Sequence, residues 1–228
     1  MDLTDLSVSD ARTLQIEMAS RVEIHPPNQH PKTIAGCDVS YIKPRASTLC
    51  FGAVVLVEYP SMRIIEEVSA AMDTCYPYIP GLLSFREAPV LMEAIGKLST
   101  RPDLLMVDGH GICHPRRIGL ASHIGVSLDL PAIGCAKNPL VGSWDPPSDT
   151  RGSWNIIREH NELLGGVLCS RRGCKPLFIS PGHKMDLEGS MSITRNCLKG
   201  FRLPEPTRLA HNTVTKIRRE SMEIQEGK

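Results

Sequence analysis

No stretch of this 228-residue chain approaches the roughly 18 consecutive apolar residues that a membrane span requires, so no membrane partner is expected. Surplus charge is also missing. With 26 Lys+Arg against 25 Asp+Glu the formal net charge is +1, which excludes a global electrostatic footprint for nucleic acid and leaves only a local basic face to carry one. The first fifteen residues, MDLTDLSVSDARTLQ, have neither the basic region nor the apolar core of a secretory signal. Eight cysteines are present without a CxxC pair, and the one tight Cys/His cluster, His110, Cys113 and His114, lacks a second cluster to complete four zinc ligands. Cysteines inside apolar runs such as Leu49-Cys50-Phe51 suit small buried residues of a reduced compartment, so a soluble cytoplasmic protein is expected. Aromatics are scarce at 4%, while hydrophobic residues reach 41% and charged ones 22%, the balance of one compact domain over residues 1–228. Such a chain can bury roughly 70% of its unfolded surface, so any metal it holds serves function rather than folding.

Along the chain, apolar spacing predicts a short helix over residues 9–22, opened by Ser9-x-x-Arg12 without a capping-box acid. The prolines of the segment 25–31 make it a linker. Three strand-like runs follow at 33–42, 48–59 and 62–72, the last two joined by a Pro60-Ser61 turn, and together they form an antiparallel meander. From Ser84 the period changes to that of a helix. Apolar runs at 103–107, 132–136 and 176–180 then alternate with helical patterns at 117–128, 154–168, 186–198 and 205–219, and residues 220–228 are expected to fray. A meander followed by βα units that add parallel strands is a mixed α/β sheet with helices on both faces, the order of the ribonuclease H-like fold.

Three carboxylates stand out. Asp38 interrupts the strand Ile34-Ala35-Gly36-Cys37-Asp38-Val39, where it needs a partner or a cation unless alternation places it on an exposed face. Asp108 ends the apolar run Leu104-Leu105-Met106-Val107 in Asp-Gly-His-Gly, a place where ligands collect in open sheets and also one where an Asx turn forms. Glu87 opens a helix, which the helix dipole favours by itself. As a set, two strand aspartates and a nearby glutamate suit an oxygen-preferring cation such as Mg²⁺ with substrate phosphate completing its shell. Lys137, past the run ending in Ala136, can orient water or neutralise phosphate charge. Arg86, His114, Arg116 and Arg117 are candidate phosphate contacts, the last two because cations at a helix start suggest an anionic partner. Tyr76-Pro77-Tyr78-Ile79-Pro80-Gly81-Leu82-Leu83 is a proline-stiffened apolar turn that either caps the core or wedges between stacked bases.

These residues resemble the endonuclease V family of deoxyinosine-directed nucleases. The matching blocks are Gly36-Cys37-Asp38-Val39-Ser40-Tyr41, Pro77 through Glu87, Asp108 through His123, Gly134-Cys135-Ala136-Lys137 and Ser180-Pro181-Gly182-His183, in family order from about residue 10 to about 219. The resemblance implies a ribonuclease H-like fold and Mg²⁺, with Mn²⁺ as its substitute, on Asp38, Glu87 and Asp108. It places Lys137 near the attacking water and His211 close to the metal. It further implies that Tyr78, with Ile79 and Pro80, fills the gap left by a flipped deaminated base, whose pocket involves Gly81, Leu83, Gly109, Gly111, Gly119 and Leu120. The implied reaction is hydrolysis of the second phosphodiester 3′ to inosine in DNA by a monomer, leaving 3′-hydroxyl and 5′-phosphate ends. A family member directed at inosine in single-stranded RNA, or an inosine-binding protein that does not cut, are the alternatives.

Overall fold

The computed structural model describes residues 6–42, 48–74 and 76–225; Cys75 and the last residues of the expected frayed tail lie outside them. The first three strands, β1 (Thr33–Ile42), β2 (Thr48–Glu58) and β3 (Ile64–Thr74), form the antiparallel meander. β4 (Leu104–Val107) pairs parallel to β1, and β5 (Ala132–Ala136) parallel to β4. β6 (Trp154–Glu159), β7 (Glu162–Leu168) and β8 (Leu177–His183) complete one eight-stranded sheet in the order β3-β2-β1-β4-β5-β8-β7-β6.

Period-two alternation divides the sheet between two cores. Ala35, Cys37, Leu105 and Val107 meet Ala88 and Leu91 of α2 (Leu83–Ile95) and Ala121 and Ile124 of α3 (Leu120–Leu128). Ile34, Leu104, Met106 and Ile133 face Met191 and Ile193 of α4 (Leu187–Asn196) and Ala210 of α5 (Glu205–Gln225). Helices therefore cover both faces of a mixed sheet, as expected. The seven described cysteines are free thiols, and six of them are buried.

Several local expectations need correction. Residues 154–168 form the antiparallel hairpin β6–β7, not a helix. Its turn is His160-Asn161, with His160 at φ 54°, and its glycines are pressed against neighbours. A Cβ on Gly165 would lie 2.3 Å from the Ile179 carbonyl oxygen, and one on Gly166 would lie 2.9 Å from the Trp154 ring. Paired glycines weaken a helix by about 1 kcal/mol each, a signal that outweighs the coincidental apolar spacing. β8 runs antiparallel to β5, so only β1, β4 and β5 are mutually parallel. α3 starts at Leu120 because Arg117, at φ 58°, is left-handed and ends the preceding turn. The first helix, α1 (Val8–Ala19), is capped two residues earlier than expected, by Ser7 in place of Ser9: Ser7 Oγ accepts the Asp10 N–H at 3.1 Å and donates to the Asp10 carboxylate at 2.7 Å. The last helix, expected to end at 219, continues through Gln225.

Candidate active site

Parallel register builds the centre. Cys37 pairs with Val107, so the next residues, Asp38 and Asp108, emerge side by side at the carboxyl ends of adjacent strands. The Asp108 N–H donates to the Cys37 carbonyl at 2.9 Å and extends the ladder to that point. Asp38 is 7% exposed; its Oδ1 accepts the Val39 N–H at 2.8 Å, and its Oδ2 lies 2.7 Å from His211 Nδ1. His211 arrives there because Gly36 lets α5 land on β1: a Cβ at Gly36 would sit 2.0 Å from the Pro206 carbonyl oxygen. From that contact, five helical residues rise about 7.5 Å and two strand residues about 6.6 Å, so histidine and aspartate reach the same level. Asp108 forms an ion pair with the Lys137 ammonium, carried at the end of β5.

Glu87 comes from α2 on the opposite face, buried, with its Oε1 accepting the Tyr41 hydroxyl at 2.5 Å. Burial lifts its carboxyl to about 7, aided by the charges of Asp38 and Asp108 and opposed by the Tyr41 hydroxyl and Arg86. Burial and the charge of Asp38 lift Asp108 to about 6 against the pull of Lys137. These carboxylates are therefore short of positive charge. Asp38, Asp108 and His211 each bring a ligand atom within 4.8 Å of the others, a donor set that fits a divalent cation; Glu87 lies outside that trio but within its field. Among the described residues Glu23, Asp129 and His183 form a second such trio, but there His183 Nδ1 accepts the Glu23 N–H, leaving Nε2 protonated, and Lys184 already pairs with Asp129 at 2.6 Å.

Beside Asp108 and Glu87 opens a cavity of about 350 Å³. Tyr78, Ile79, Pro80, Gly81, Leu83, Gly109, Gly119 and Leu120 line it together with Lys137. Tyr78 is 71% exposed, between the buried Tyr76 and Leu82 that anchor its loop. Gly111 does not line this space: its N–H donates to Ser180 Oγ at 2.8 Å, and a Cβ there would lie 1.9 Å from the Pro181 carbonyl oxygen, so it is a packing glycine. Sequence reasoning missed Ser84, Asn138, Pro139 and Leu140 in the wall and Tyr41 behind Glu87. Tyr41 shares its strand with Asp38 but sits on the other face with Cys37 and Val39, so neither its spacing nor the 138–140 turn carries a local signal.

The expected phosphate contacts have other partners. Arg86 is buried, donates to the Tyr76 carbonyl at 3.1 Å and stacks 4.7 Å over the Tyr41 ring. Arg117 is neutralised by Glu159 at 2.7 Å and Glu162 at 2.8 Å. His114 accepts the Arg116 N–H on Nδ1 and so donates from Nε2, at 3.1 Å, to the Gly81 carbonyl, which also receives Arg116 Nη2 at 2.6 Å. Burial and Arg116 depress His114 to about 4, consistent with this neutral tautomer. Arg86 is thus tied down inside the fold, Arg117 is paired with two glutamates and His114 is neutral, while Arg116, bonded to the neutral Gln15 and Gly81 groups, keeps its charge.

A mixed sheet with two aspartates at adjacent parallel strand ends, next to a cavity under a projecting tyrosine, is an arrangement suited to cation-assisted hydrolysis of a phosphodiester. The sequence profile of endonuclease V matches residues 16–212. Endonuclease V of Dehalococcoides mccartyi strain BAV1 is 45% identical over 213 residues, covering 93% of this chain and 95% of that protein. The crystal structure of Bacillus subtilis endonuclease V superposes with a TM-score of 0.92 at 30% identity, covering 98% of each chain. Ciona intestinalis endonuclease V, solved with a 24-mer DNA containing an inosine followed by a ribo-adenosine, gives a TM-score of 0.78 at 26% identity over 93% of this chain and 98% of that one. The chain belongs to the endonuclease V family.

Proposed function

We propose that this protein is a Mg²⁺-dependent endonuclease that recognises inosine and hydrolyses the second phosphodiester 3′ to it in DNA. The carrying observation is the adjacency of two features: the Asp38–Asp108–His211 cluster and the cavity beneath Tyr78. The Ciona relative bound to inosine-containing DNA supports the same substrate class for this chain. Asp38 and Asp108 would hold the cation, with His211 and Glu87 beside them. When bound, it supplies Lewis-acid polarisation of a phosphoryl oxygen and a more acidic water.

The protein's own groups do the rest. Lys137, a cation at the rim next to Asp108, neutralises charge on the phosphate as water attacks. The P–O3′ bond breaks, the departing oxygen takes a proton, and 3′-hydroxyl and 5′-phosphate ends result. His211 holds Asp38 through its Nδ1 and fixes the orientation of that carboxylate. Tyr78 enters the space vacated by the flipped nucleotide, and the cavity of about 350 Å³ has the size of a small-ligand pocket. Hypoxanthine donates at N1 and accepts at O6. Adenine reverses both, so each mismatched pocket group left unpaired costs about 1–3 kcal/mol.

Matched inosine-containing DNA and RNA strands incubated with Mg²⁺ test this reading. DNA should be cut once, two linkages 3′ of inosine, and Asp38→Ala should bind without cutting. Exclusive cutting of the RNA would transfer the activity to single-stranded RNA; turnover by Asp38→Ala would remove the assigned centre.

A further inference from the structure

The carbonyl of Gly81, at the base of the Tyr78 loop, accepts three donors. They are Gln15 Nε2 at 3.0 Å, His114 Nε2 at 3.1 Å and Arg116 Nη2 at 2.6 Å. A carbonyl oxygen has two lone pairs, so this one is held beyond its ordinary capacity, and one donor carries full charge. One of the three arms comes from the N-terminal helix: Gln15 belongs to α1. Its side chain is fully buried, and its Oε1 accepts Arg116 Nε at 2.5 Å.

A buried amide is a costly choice for a helix face that packs on apolar neighbours. α1 presents Ala11 and Leu14 to Tyr76, Leu82, Phe85 and Ile79, and Met18 to Ile118 and Val126. A leucine or methionine would serve that packing equally well. The amide instead bridges two loops at once, the one bearing Tyr78 and the one bearing Arg116. Gly81 itself is left-handed at φ 78°, and a Cβ there would lie 2.8 Å from Arg116 Nη2, so the clamp and the glycine require each other.

We propose that Gln15 is a positioning residue for lesion recognition, locking the Gly81 carbonyl so that Tyr78 projects from a fixed base. This rests on the reading of residues 77–83 as the element that enters the nucleic acid. Gln15 touches no reacting atom; it acts on how the loop meets the strand, hence on KM and discrimination and not on the bond-breaking step.

Two variants separate its roles. Gln15→Met keeps the volume and removes both hydrogen bonds; Gln15→Glu keeps an acceptor for Arg116 but cannot donate to Gly81. Amide hydrogen exchange of the free proteins gives a readout independent of activity. Peptides over 77–83 should lose protection about tenfold in Gln15→Met and by an intermediate amount in Gln15→Glu, with strand peptides unchanged. In cleavage assays with Mg²⁺ and an inosine duplex, KM should rise about tenfold for Gln15→Met, kcat should stay within about twofold, and the preference over an undamaged duplex should narrow. Unchanged exchange over 77–83, or a kcat loss without a KM change, overturns the proposal. If Gln15→Met fails to fold, the same exchange and KM comparison on Gln15→Glu decides. A wild-type protein that shows no preference for inosine would defeat the functional reading, while loop exchange would still report on the clamp.

Discussion

The two sides of the cavity are held by opposite electrostatic logic. On the acidic side, Asp38, Glu87 and Asp108 crowd together with too little positive charge, and burial pushes Glu87 to about 7 and Asp108 to about 6. On the loop side, His114 and Arg116 are hydrogen-bonded to neutral groups, and the Gly81 carbonyl has more donors than it needs. The first side leaves its carboxylates short of counter-charge; the second has its polar groups hydrogen-bonded within the fold. That contrast is what a cation-dependent nuclease with a preformed recognition loop requires, since preorganisation is useful where a base is inspected and a charge deficit is useful where an ion binds.

The strongest way to break the contrast is to relieve the deficit. Asp108→Asn should reduce cleavage at least about a thousandfold, because a neutral amide cannot replace a cation-binding carboxylate. Without divalent cation the same variant should melt higher than wild type at pH 7, since a carboxylate whose ionised form is disfavoured by burial and by Asp38 has been removed. Added Mg²⁺ should raise the wild-type melting temperature more than that of the variant. A variant that melts lower without Mg²⁺ would show that the Lys137 pair outweighs the crowding.

Gly111→Ala probes the boundary between the sides. A Cβ 1.9 Å from a backbone oxygen cannot be accommodated without moving β8, so a stability loss of about 3 kcal/mol or more is expected from chemical denaturation. Cutting of inosine and undamaged duplexes should fall in equal proportion, because the residue packs under the site and does not face the base. A selective loss for inosine would return Gly111 to the pocket.

Much of this was legible in the residues. Asp38, Glu87, Asp108, Lys137 and the Tyr78 turn are short motifs whose chemistry is local, and the meander with its following parallel strands obeys periodicity. What escaped was pairwise. Nothing in Arg117 announces that Glu159 and Glu162, on a hairpin read as a helix, will neutralise it. Gln15 and Gly81 are 66 positions apart, and only the packing of α1 brings them together. The hairpin itself was misread because Ile157 and Leu164 also satisfy a helical spacing, while the glycines that decide the matter answer to β8 and Trp154.

pH sharpens the comparison, because the two sides titrate with opposite sign. Glu87 and Asp108 have raised values, so their contribution is present below the unfolded carboxylate range, near 4, and is lost as pH rises through about 6 and 7. His110, His114 and His123 are each depressed to about 4, chiefly by burial. Their contribution is present above the unfolded histidine value near 6.5 and is lost as pH falls toward 4. For His123, sealed against Ser84 and Phe85, the loss amounts to about 3 kcal/mol across that window. His123→Asn should therefore flatten the acid limb of a stability–pH curve measured without divalent cation. An unchanged slope would mean that the imidazole is not kept neutral by its surroundings.

The smallest effect on folding is expected where the loop side meets solvent. Tyr78 is 71% exposed, so Tyr78→Ala should change stability by no more than about 0.5 kcal/mol. Its anchors, Tyr76 and Leu82, are buried and remain in place. The expected change is instead about tenfold in KM for an inosine duplex, or about 1.4 kcal/mol, the scale of one aromatic stacking contact. The effect should shrink when inosine lies in a single strand, where no gap is left in a stack when the base turns out. An equal effect on both substrates would mean that Tyr78 contacts the extruded base itself rather than filling the space behind it, and the loop side would then be a wall of the pocket with no wedge.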